Sequence, residues 1–139
     1  MAEENPNSQG ASLIFDTDIL VWAHRGHPAA ARFINRVPIE ERNISMISYL
    51  ELLYGARDAH DLVIVQKLVE DLFAEVVPIT ETISRSALRI MKSYVLAHRL
   101  DASDAVIAAT ALARQEPLAT GNQKHFRFIP GLSVRPCTP

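Results

Sequence analysis

The sequence predicts an α/β fold in which helices cover both faces of a mainly parallel sheet of four or five strands. Three observations favour it: the length of 139 residues suits one domain, short apolar runs alternate with amphipathic helical segments, and glycine and proline residues separate them. Right-handed crossovers join strands that alternate with helices, and they give a parallel sheet. We find no internal repeat, so we expect a flexible tail at residues 1–10, one domain over residues 11–135 and a second tail at residues 136–139.

The predicted elements follow the hydrophobic periodicity in chain order. The first six are a strand at 12–15, the opening of a helix at 19–22, a helix at 29–37, a strand at 43–47, a helix at 48–55 and an amphipathic helix at 61–73. A strand at 75–79, a helix at 80–99, a helix at 105–115, a strand at 117–120 and a fifth strand at 132–134 complete the set. Pro28 suits the first turn of its helix and Pro38 ends that helix, because proline lacks the amide that a helix interior requires.

Composition and charge exclude several classes of protein. A hydrophobic fraction of 48% and a charged fraction of 22% are ordinary for a globular domain, which argues against disorder and coiled coil. No apolar run approaches the roughly 18 residues of a membrane span, the first ten residues lack the pattern of a signal peptide, and the single cysteine, Cys137, excludes an intramolecular disulfide. We therefore expect a cytoplasmic protein that does not contact membranes. Because 14 basic residues oppose 16 acidic ones, any contact with nucleic acid must come from a local basic patch.

Acidic and amide side chains stand at the ends of predicted strands. Asp16 follows the first strand, Glu51 lies in the first turn of the helix after the second strand, and Asn122 comes after the fourth strand. Asp104 lies in the first turn of the helix before the fourth strand. Ligands of open parallel sheets bind beyond the carboxyl ends of the strands, so we expect these residues to line one crevice. Gathered carboxylates repel one another, and oxygen ligands without histidine or cysteine indicate Mg²⁺ or Mn²⁺ between them.

Each of these acids also has a purely structural interpretation. Ser48 and Glu51 have the spacing of a capping box, in which the glutamate only satisfies the backbone at a helix start. Asp101 can cap the helix that follows it, and Asp104 can interact favourably with the dipole of that helix. Asp16 has no predicted capping role, so it is the acid for which a functional interpretation is strongest.

Four segments of the sequence carry a resemblance to a known family. They are LIFDTDILV at 13–21, ISYLELLYGA at 47–56, DAVIAATAL at 104–112 and TGNQKHF at 120–126. In this order and spacing they resemble the signature segments of PIN-domain ribonucleases, in particular the VapC toxins of toxin–antitoxin pairs. The resemblance spans residues 13–134 and implies a PIN-like three-layer sandwich with an acidic pocket for Mg²⁺ or Mn²⁺. Many relatives carry an acid where this chain has Asn122, and this departure weakens the case for a second metal.

The resemblance implies a metal-dependent endoribonuclease that acts as the toxin of a toxin–antitoxin pair. The implied catalytic residues are Asp16, Glu51, Asp104 and Asn122, and the three acids among them are the implied metal ligands. Asp18 stands where relatives often carry asparagine and is better explained as a residue of a helix start. Thr17 or Thr120 would orient polar groups, and basic residues near the pocket mouth would hold the RNA backbone: Arg25, Arg57, Lys124, His125 and Arg127.

The implied partners are an RNA substrate, an antitoxin protein and a second copy of the chain. The segment at 48–73 carries more apolar side chains than one helix face can bury, and large exposed apolar patches mark interfaces. The residues that would form this patch are Tyr49, Leu53, Tyr54, Val63, Ile64, Leu68 and Phe73. Burial within the monomer is the alternative, and the family resemblance favours the dimer.

Two other functions fit part of the pattern. Residues 14–18 also resemble the first motif of haloacid-dehalogenase-like phosphatases, with Asp16 as the nucleophile. Such enzymes need a downstream lysine and an acidic pair, but Lys92 lies in the middle of a predicted helix, Gly121 is followed by asparagine, and the chain is short for that fold. The second alternative is a non-catalytic PIN-fold binding module, against which the three intact acids argue.

Overall fold

One parallel sheet of five strands organises the chain. The computed structural model describes residues 12–137, so the predicted tail at 1–10 lies outside the described residues. The strands are β1 (Leu13–Phe15), β2 (Arg42–Ser45), β3 (Glu75–Val77), β4 (Leu118–Thr120) and β5 (Val134–Pro136). Their order across the sheet is β3-β2-β1-β4-β5, and every neighbouring pair is parallel. The predicted α/β fold with its fifth strand is confirmed.

Within residues 12–137, six α-helices connect the strands. They are α1 (Thr17–His24), α2 (Pro28–Asn35), α3 (Met46–Tyr54), α4 (Ala59–Leu72), α5 (Glu81–His98) and α6 (Ala102–Arg114), and two short 3-10 turns lie at Ile39–Glu41 and Gln123–His125. Pro28 occupies the first turn of α2, as predicted. None of the helices within residues 12–137 combines the length and the apolar character needed to cross a membrane.

The two faces of the sheet bury separate hydrophobic cores. On one face Ile14 and Leu118 pack with residues of α5 and α6, such as Ile90 and the alanine-rich face around Ala108. On the other face, side chains of β1 and β2 pack against side chains of α1 to α4. The strand residues of this core are Leu13, Phe15 and Ile44, and the helix residues are Ile19, Ile34, Leu52, Val65 and Val69. The result is a three-layer sandwich, because small alanine side chains let α6 pack closely on the sheet and larger aliphatic side chains fill the opposite layer.

The start of α3 differs from the prediction. The helix begins at Met46 rather than at Ser48, and the strand before it ends at Ser45. The hydroxyl of Ser45 accepts a hydrogen bond from the amide of Ile47 at 3.2 Å, so Ser45 is the N-cap. Ser48 is fully buried inside the helix, and the predicted capping box of Ser48 and Glu51 is therefore wrong. The apolar pair at 46–47, which suggested a longer strand, belongs to the first turn of the helix.

The carboxyl end of the fold also differs from the prediction. β5 ends at Pro136, and the side chain of Cys137 is only 3% exposed. The amide of Cys137 donates to the carbonyl oxygen of Thr120 at 2.9 Å, which attaches this residue to β4. The ordered fold thus includes two residues that we predicted as part of a tail, because strand pairing continues past the apolar segment that predicted the strand.

The apolar patch that we predicted on α3 and α4 is only partly exposed, although Leu50 and Leu62, which we did not include in it, are exposed as well. Tyr54, Val63 and Ile64 are 94%, 52% and 42% exposed, as expected of an interface. Phe73, in contrast, is 7% exposed and packs edge-to-face with Phe15. Phe73 therefore belongs to the monomer core, and the exposed part of the patch is concentrated on three side chains.

Candidate active site

The order of the strands brings the four predicted site residues together. β1 lies between β2 and β4, so the carboxyl ends of these three strands meet at one edge. Asp16 follows β1, Glu51 lies on α3 after β2, and Asn122 follows β4; Asp104 lies in the first turn of α6. All four line one cavity of about 750 Å³, which we call the acidic pocket.

Both charged and apolar side chains line the acidic pocket. Its five carboxylates are those of Asp16, Asp18, Glu51, Asp101 and Asp104. The apolar part of the lining consists of Val21, Trp22, Leu50 and the exposed ring of Tyr54. Thr17, Asn122 and His125 complete the lining. Sequence reasoning identified most of the polar residues, but it did not identify the apolar wall.

Asp16 is the most deeply buried acid of the pocket. Its side chain is 5% exposed and accepts hydrogen bonds from the amide of Thr17 and the hydroxyl of Thr120, each at 2.7 Å. Asp16 is also the N-cap of α1, a role that we did not predict, because no loop separates β1 from the helix. Burial raises the pKa of Asp16 from 3.8 to about 7, and the charges of Asp18 and Asp104 add to this effect.

The pKa of Asp104 is also raised. Burial, followed by the charges of Asp101 and Glu51, raises the pKa of Asp104 to about 6. His125 opposes the shift, since its Nδ1 atom lies 3.3 Å from Oδ2 of Asp104. His125 was predicted to hold the RNA backbone near the pocket mouth, and the structure places it beside a carboxylate of the pocket. The predicted N-cap at Asp101 is confirmed by its bond from the amide of Ser103 at 3.0 Å.

Glu51 contacts the hydroxyl group of Thr17, which in turn contacts the hydroxyl group of Ser48. Oγ1 of Thr17 lies 2.8 Å from Oε1 of Glu51 and 2.8 Å from Oγ of Ser48. A hydroxyl group donates one proton and can accept others, so the three side chains can form a single chain of hydrogen bonds. This arrangement gives Thr17 the orienting role that the sequence analysis proposed, and it explains why a serine is buried at position 48.

Asp18 belongs to the pocket as well as to the helix start. Its Oδ2 atom accepts a hydrogen bond from the amide of Gly121 at 3.1 Å, whereas its Oδ1 atom is buried and has no partner among residues 12–137. Burial raises the pKa of Asp18. A side chain at position 121 would overlap the ring of Trp22, whose Cζ3 atom lies 2.7 Å from an added Cβ atom. Glycine is therefore required where the loop after β4 meets Asp18.

The donor set of the acidic pocket suits a hard divalent cation. Burial and neighbouring acids raise the pKa values of Asp16 and Asp104, and a buried oxygen of Asp18 has no partner among residues 12–137, so a cation would relieve both. Within residues 12–137, no three acidic, histidine or cysteine side chains already stand in the geometry of a formed metal site. Mg²⁺ is usually bound through only one or two carboxylates and keeps several water ligands, so this arrangement is compatible with it.

The other residues that we predicted to contact the RNA backbone lie in two regions. Arg25 and Arg57 line a second cavity of about 620 Å³, which adjoins the acidic pocket at Val21 and Glu51. Lys124 and Arg127 are exposed and line neither of these two cavities. The second cavity contains a buried acid, Asp61, that sequence reasoning did not identify as functional. Its only sequence signal is the Asp58-x-x-Asp61 spacing of a helix start.

The fold agrees with comparisons to known proteins. The PIN domain family matches residues 13–130. The chain belongs to the PIN-domain family. It is 36% identical over 126 residues to Ribonuclease VapC19 of Mycobacterium tuberculosis, which covers 86% of this chain and 95% of the relative. It is 34% identical over 122 residues to Ribonuclease VapC10 of the same organism, covering 82% of this chain and 85% of the relative.

A solved structure supports the same family. The chain is similar to a chain of a toxin–antitoxin complex from Klebsiella pneumoniae, with a TM-score of 0.73, 28% identity, and coverage of 88% of this chain and 97% of that one. This membership argues against the phosphatase alternative. The pocket agrees, because no lysine lines it and both oxygens of Asp16 already accept hydrogen bonds.

Proposed function

We propose that this PIN-domain protein is an endoribonuclease that depends on Mg²⁺ or Mn²⁺ and acts as the toxin of a toxin–antitoxin pair. The observation that carries the proposal is the acidic pocket, in which two carboxylates of one cavity have strongly raised pKa values. Strongly shifted groups in a cleft are typical of functional sites. The ribonuclease names of the two Mycobacterium relatives and the toxin–antitoxin complex from Klebsiella support the reaction and the biological role.

The acids of the pocket would have two kinds of role in catalysis. Asp16 and Asp104 would hold the cation, and Glu51 would act as a ligand or as the base that orients the attacking water. The bound cation would polarise a phosphodiester oxygen and favour ionisation of that water. Asn122, which is exposed at the rim, would orient the substrate through its amide. Thr17 fixes the direction of Glu51, because its hydroxyl lies 2.8 Å from the carboxylate.

Proton release should accompany cation binding. A pKa of about 7 keeps a large part of Asp16 protonated in neutral solution when no cation is bound. A cation binds the ionised carboxylate, so it must displace that proton. The apparent affinity for Mg²⁺ should therefore rise with pH through the range in which Asp16 and Asp104 ionise.

The proposed partners are an antitoxin protein and a second copy of the chain. Tyr54, which is 94% exposed, lies at the edge of the acidic pocket, and Val63 and Ile64 extend the exposed apolar surface along α4. An apolar surface beside a catalytic pocket suits a protein that must block the pocket when it is bound. Light scattering at micromolar concentration should give the mass of two chains, and the mass of one chain would contradict the dimer.

Cleavage of total cellular RNA tests the proposed activity. We expect RNA fragments with MgCl₂ or MnCl₂ and none with EDTA, and we expect Asp16→Asn and Asp104→Asn to lower the rate by about 100-fold or more. Asp71→Asn is the matched control, because it makes the same change at an exposed position on α4. Circular dichroism should show that all three variants are folded. Wild-type rates from Asp104→Asn, or equal rates in EDTA, would contradict the proposal.

Expression in bacteria tests the biological role. The wild-type chain should arrest growth, Asp104→Asn should not, and co-expression of the neighbouring gene should restore growth. If the wild-type chain cuts RNA in solution but is harmless in cells without any antitoxin, the toxin role is wrong and the ribonuclease activity stands.

A further inference from the structure

The second cavity combines basic and acidic side chains, unlike the acidic pocket. Its walls come from α1, α3, α4 and the loop between α3 and α4, and it is lined by Val21, His24, Arg25, Glu51, Leu52, Gly55, Arg57, Asp61 and Ile64. We call it the His24–Arg57 cleft. Two arginines and a histidine face two acids here, and one of these acids, Glu51, is shared with the acidic pocket.

Asp61 organises the basic groups of this cleft. Its side chain is buried, with the residue 4% exposed. Its Oδ1 atom lies 3.0 Å from Nε2 of His24, while Oδ2 accepts from the amide of Arg57 at 3.0 Å and from Nε of Arg57 at 3.4 Å. The backbone amide of Arg57 and the side chain of His24 hold the pKa of Asp61 below its ordinary value. Asp61 is therefore an ionised anchor beneath two basic side chains.

The anchored side chains keep donors for a further ligand. Arg57 uses Nε toward Asp61, and its two terminal nitrogens have no hydrogen-bond partner in the described part of the chain. The guanidinium of Arg25 likewise forms no ion pair within residues 12–137. The side chain of Arg57 is 83% exposed, so these donors are accessible. Paired arginine donors match the oxygens of a phosphate group.

The position of the cleft indicates which phosphate it can bind. Thr17, which contacts Glu51, and His24 lie at the two ends of α1, seven residues apart. At about 1.5 Å per residue, this places the His24 end of the cleft about 10 Å along the helix axis from the Thr17 end of the acidic pocket. A phosphate in the cleft would thus belong to the same RNA strand as the phosphate in the pocket, but to another nucleotide.

We propose that the His24–Arg57 cleft binds a phosphate of the RNA strand next to the site of cleavage, through Arg57, Arg25 and His24. This inference rests on the proposed ribonuclease function. Asp61 is a positioning residue, because it touches the basic side chains and not the substrate. The two arginines and two acids of the cleft balance in formal charge, so the local contact with RNA would come from the accessible guanidinium donors of Arg57 and Arg25.

Salt-dependent RNA binding tests the proposal. The parent is the full chain with Asp104→Asn, studied in EDTA with a fluorescein-labelled pool of short single-stranded oligoribonucleotides of random sequence. Adding Arg25→Gln and Arg57→Gln should weaken binding about tenfold at low salt. It should also reduce the slope of log Kd against log salt concentration by about 0.7 for each phosphate contact that is lost.

A matched control variant separates the contribution of the cleft to RNA binding from a general effect of net charge. Arg89→Gln with Lys92→Gln removes the same two charges from exposed positions on α5, which line neither cavity. This control should bind with the slope and affinity of the parent. Equal losses in both double variants would show that the effect is one of net charge, and they would overturn the proposal.

Steady-state cleavage gives a second measurement in chains with an intact acidic pocket. Arg25→Gln with Arg57→Gln should raise KM by about tenfold and change kcat less than twofold, because the cleft binds substrate away from the reacting bond. A fall in kcat with unchanged KM would contradict a binding role.

The remaining outcomes distinguish this proposal from the function on which it rests. If the parent binds no RNA and the wild-type chain cuts none, the proposed function and the cleft assignment fail together. If the wild-type chain cuts RNA and the cleft variants bind it with unchanged slope, only the cleft assignment is wrong. Unchanged RNA binding with lost neutralisation by the antitoxin would assign the cleft to the protein partner and overturn our proposal.

Discussion

Asp16 and Asp61 are two aspartates with nearly equal burial and opposite pKa shifts. Their exposed fractions are 5% and 4%. The pKa of Asp16 is raised to about 7, whereas the pKa of Asp61 is lowered. Asp16 accepts two hydrogen bonds but faces other carboxylates, while Asp61 accepts hydrogen bonds from basic groups on two sides. At Asp16 the cost of burial dominates and the neighbouring acids add to it, whereas at Asp61 the hydrogen bonds from Arg57 and His24 outweigh that cost.

The difference between Asp16 and Asp61 separates a carboxylate that needs a ligand from one that has a structural role. Around Asp61 the charges are balanced within the protein, so the carboxylate can remain ionised without help. Around Asp16 they are not balanced, and the missing positive charge must come from outside the chain. A buried carboxylate without a positive partner in the chain thus indicates a ligand site, whereas one that basic groups neutralise indicates a structural role.

The largest expected effect is on the pH dependence of stability in EDTA. Between about pH 4 and pH 7 the folded chain holds a proton on Asp16 that the unfolded chain has lost, so the free energy of unfolding should fall as pH rises. The difference between 3.8 and about 7 corresponds to on the order of 4 kcal/mol. Below about pH 4 the lowered pKa of Asp61 has the opposite effect, and stability should fall as pH falls.

Urea unfolding across this pH range checks the two arms of the profile. The maximum should lie near about pH 4, where the two arms meet. Asp16→Asn should flatten the arm on the alkaline side, and Asp61→Asn should reduce the arm on the acidic side. A profile that rises steadily to pH 8 would contradict the unbalanced state of Asp16.

The second effect is a pair of opposite changes in melting temperature. In EDTA at pH 8, Asp16→Asn should stabilise the fold by about 2 kcal/mol, or roughly 6 °C, because the amide removes an unbalanced charge and keeps the shape. Asp61→Asn should lower the melting temperature, because His24 and Arg57 lose their anchor. Differential scanning calorimetry measures both. A lower melting temperature for Asp16→Asn would show that its hydrogen bonds outweigh the repulsion.

The smallest effect is stabilisation by Mg²⁺. A cation that binds only the folded chain with millimolar affinity should contribute about 1.4 kcal/mol at ten times its Kd. Asp16→Asn and Asp104→Asn should lose this gain, and Asp61→Asn should keep it. KCl of equal ionic strength is the control, because it screens charge without binding specifically. An equal gain with KCl would mean that screening alone explains the effect.

The sequence predicted the sheet and the gathering of the acids because both follow from local patterns. Short apolar runs before Asp16 and Asn122 placed these residues at strand ends, and parallel order then brought them to one edge. Element boundaries were less accurate. Ser45 and Ser48 are both plausible caps by residue type, and only the pairing of β2 with β3 decides that the strand stops at Ser45.

The residues that sequence reasoning missed depend on contacts between distant segments. Asp61 and His24 are 37 positions apart, and their pairing requires the packing of α4 against the end of α1. Asp18 was assigned to the helix start, which is correct, but its role at the pocket depends on the amide of Gly121, 103 positions away. Periodicity reports which face of an element is buried and carries no information on such partners.

The only cysteine of the chain provides a native reporter of motion at the end of β5. The thiol of Cys137 is buried, and burial raises its pKa, so a small thiol reagent should react only when this edge of the sheet opens. The amide of Cys137 donates to the carbonyl of Thr120, and the hydroxyl of Thr120 donates to Asp16. The opening that exposes the sulfur thus loosens the support of Asp16. The rate of thiol labelling under native conditions, followed by mass spectrometry, reports how often the pocket loses its shape.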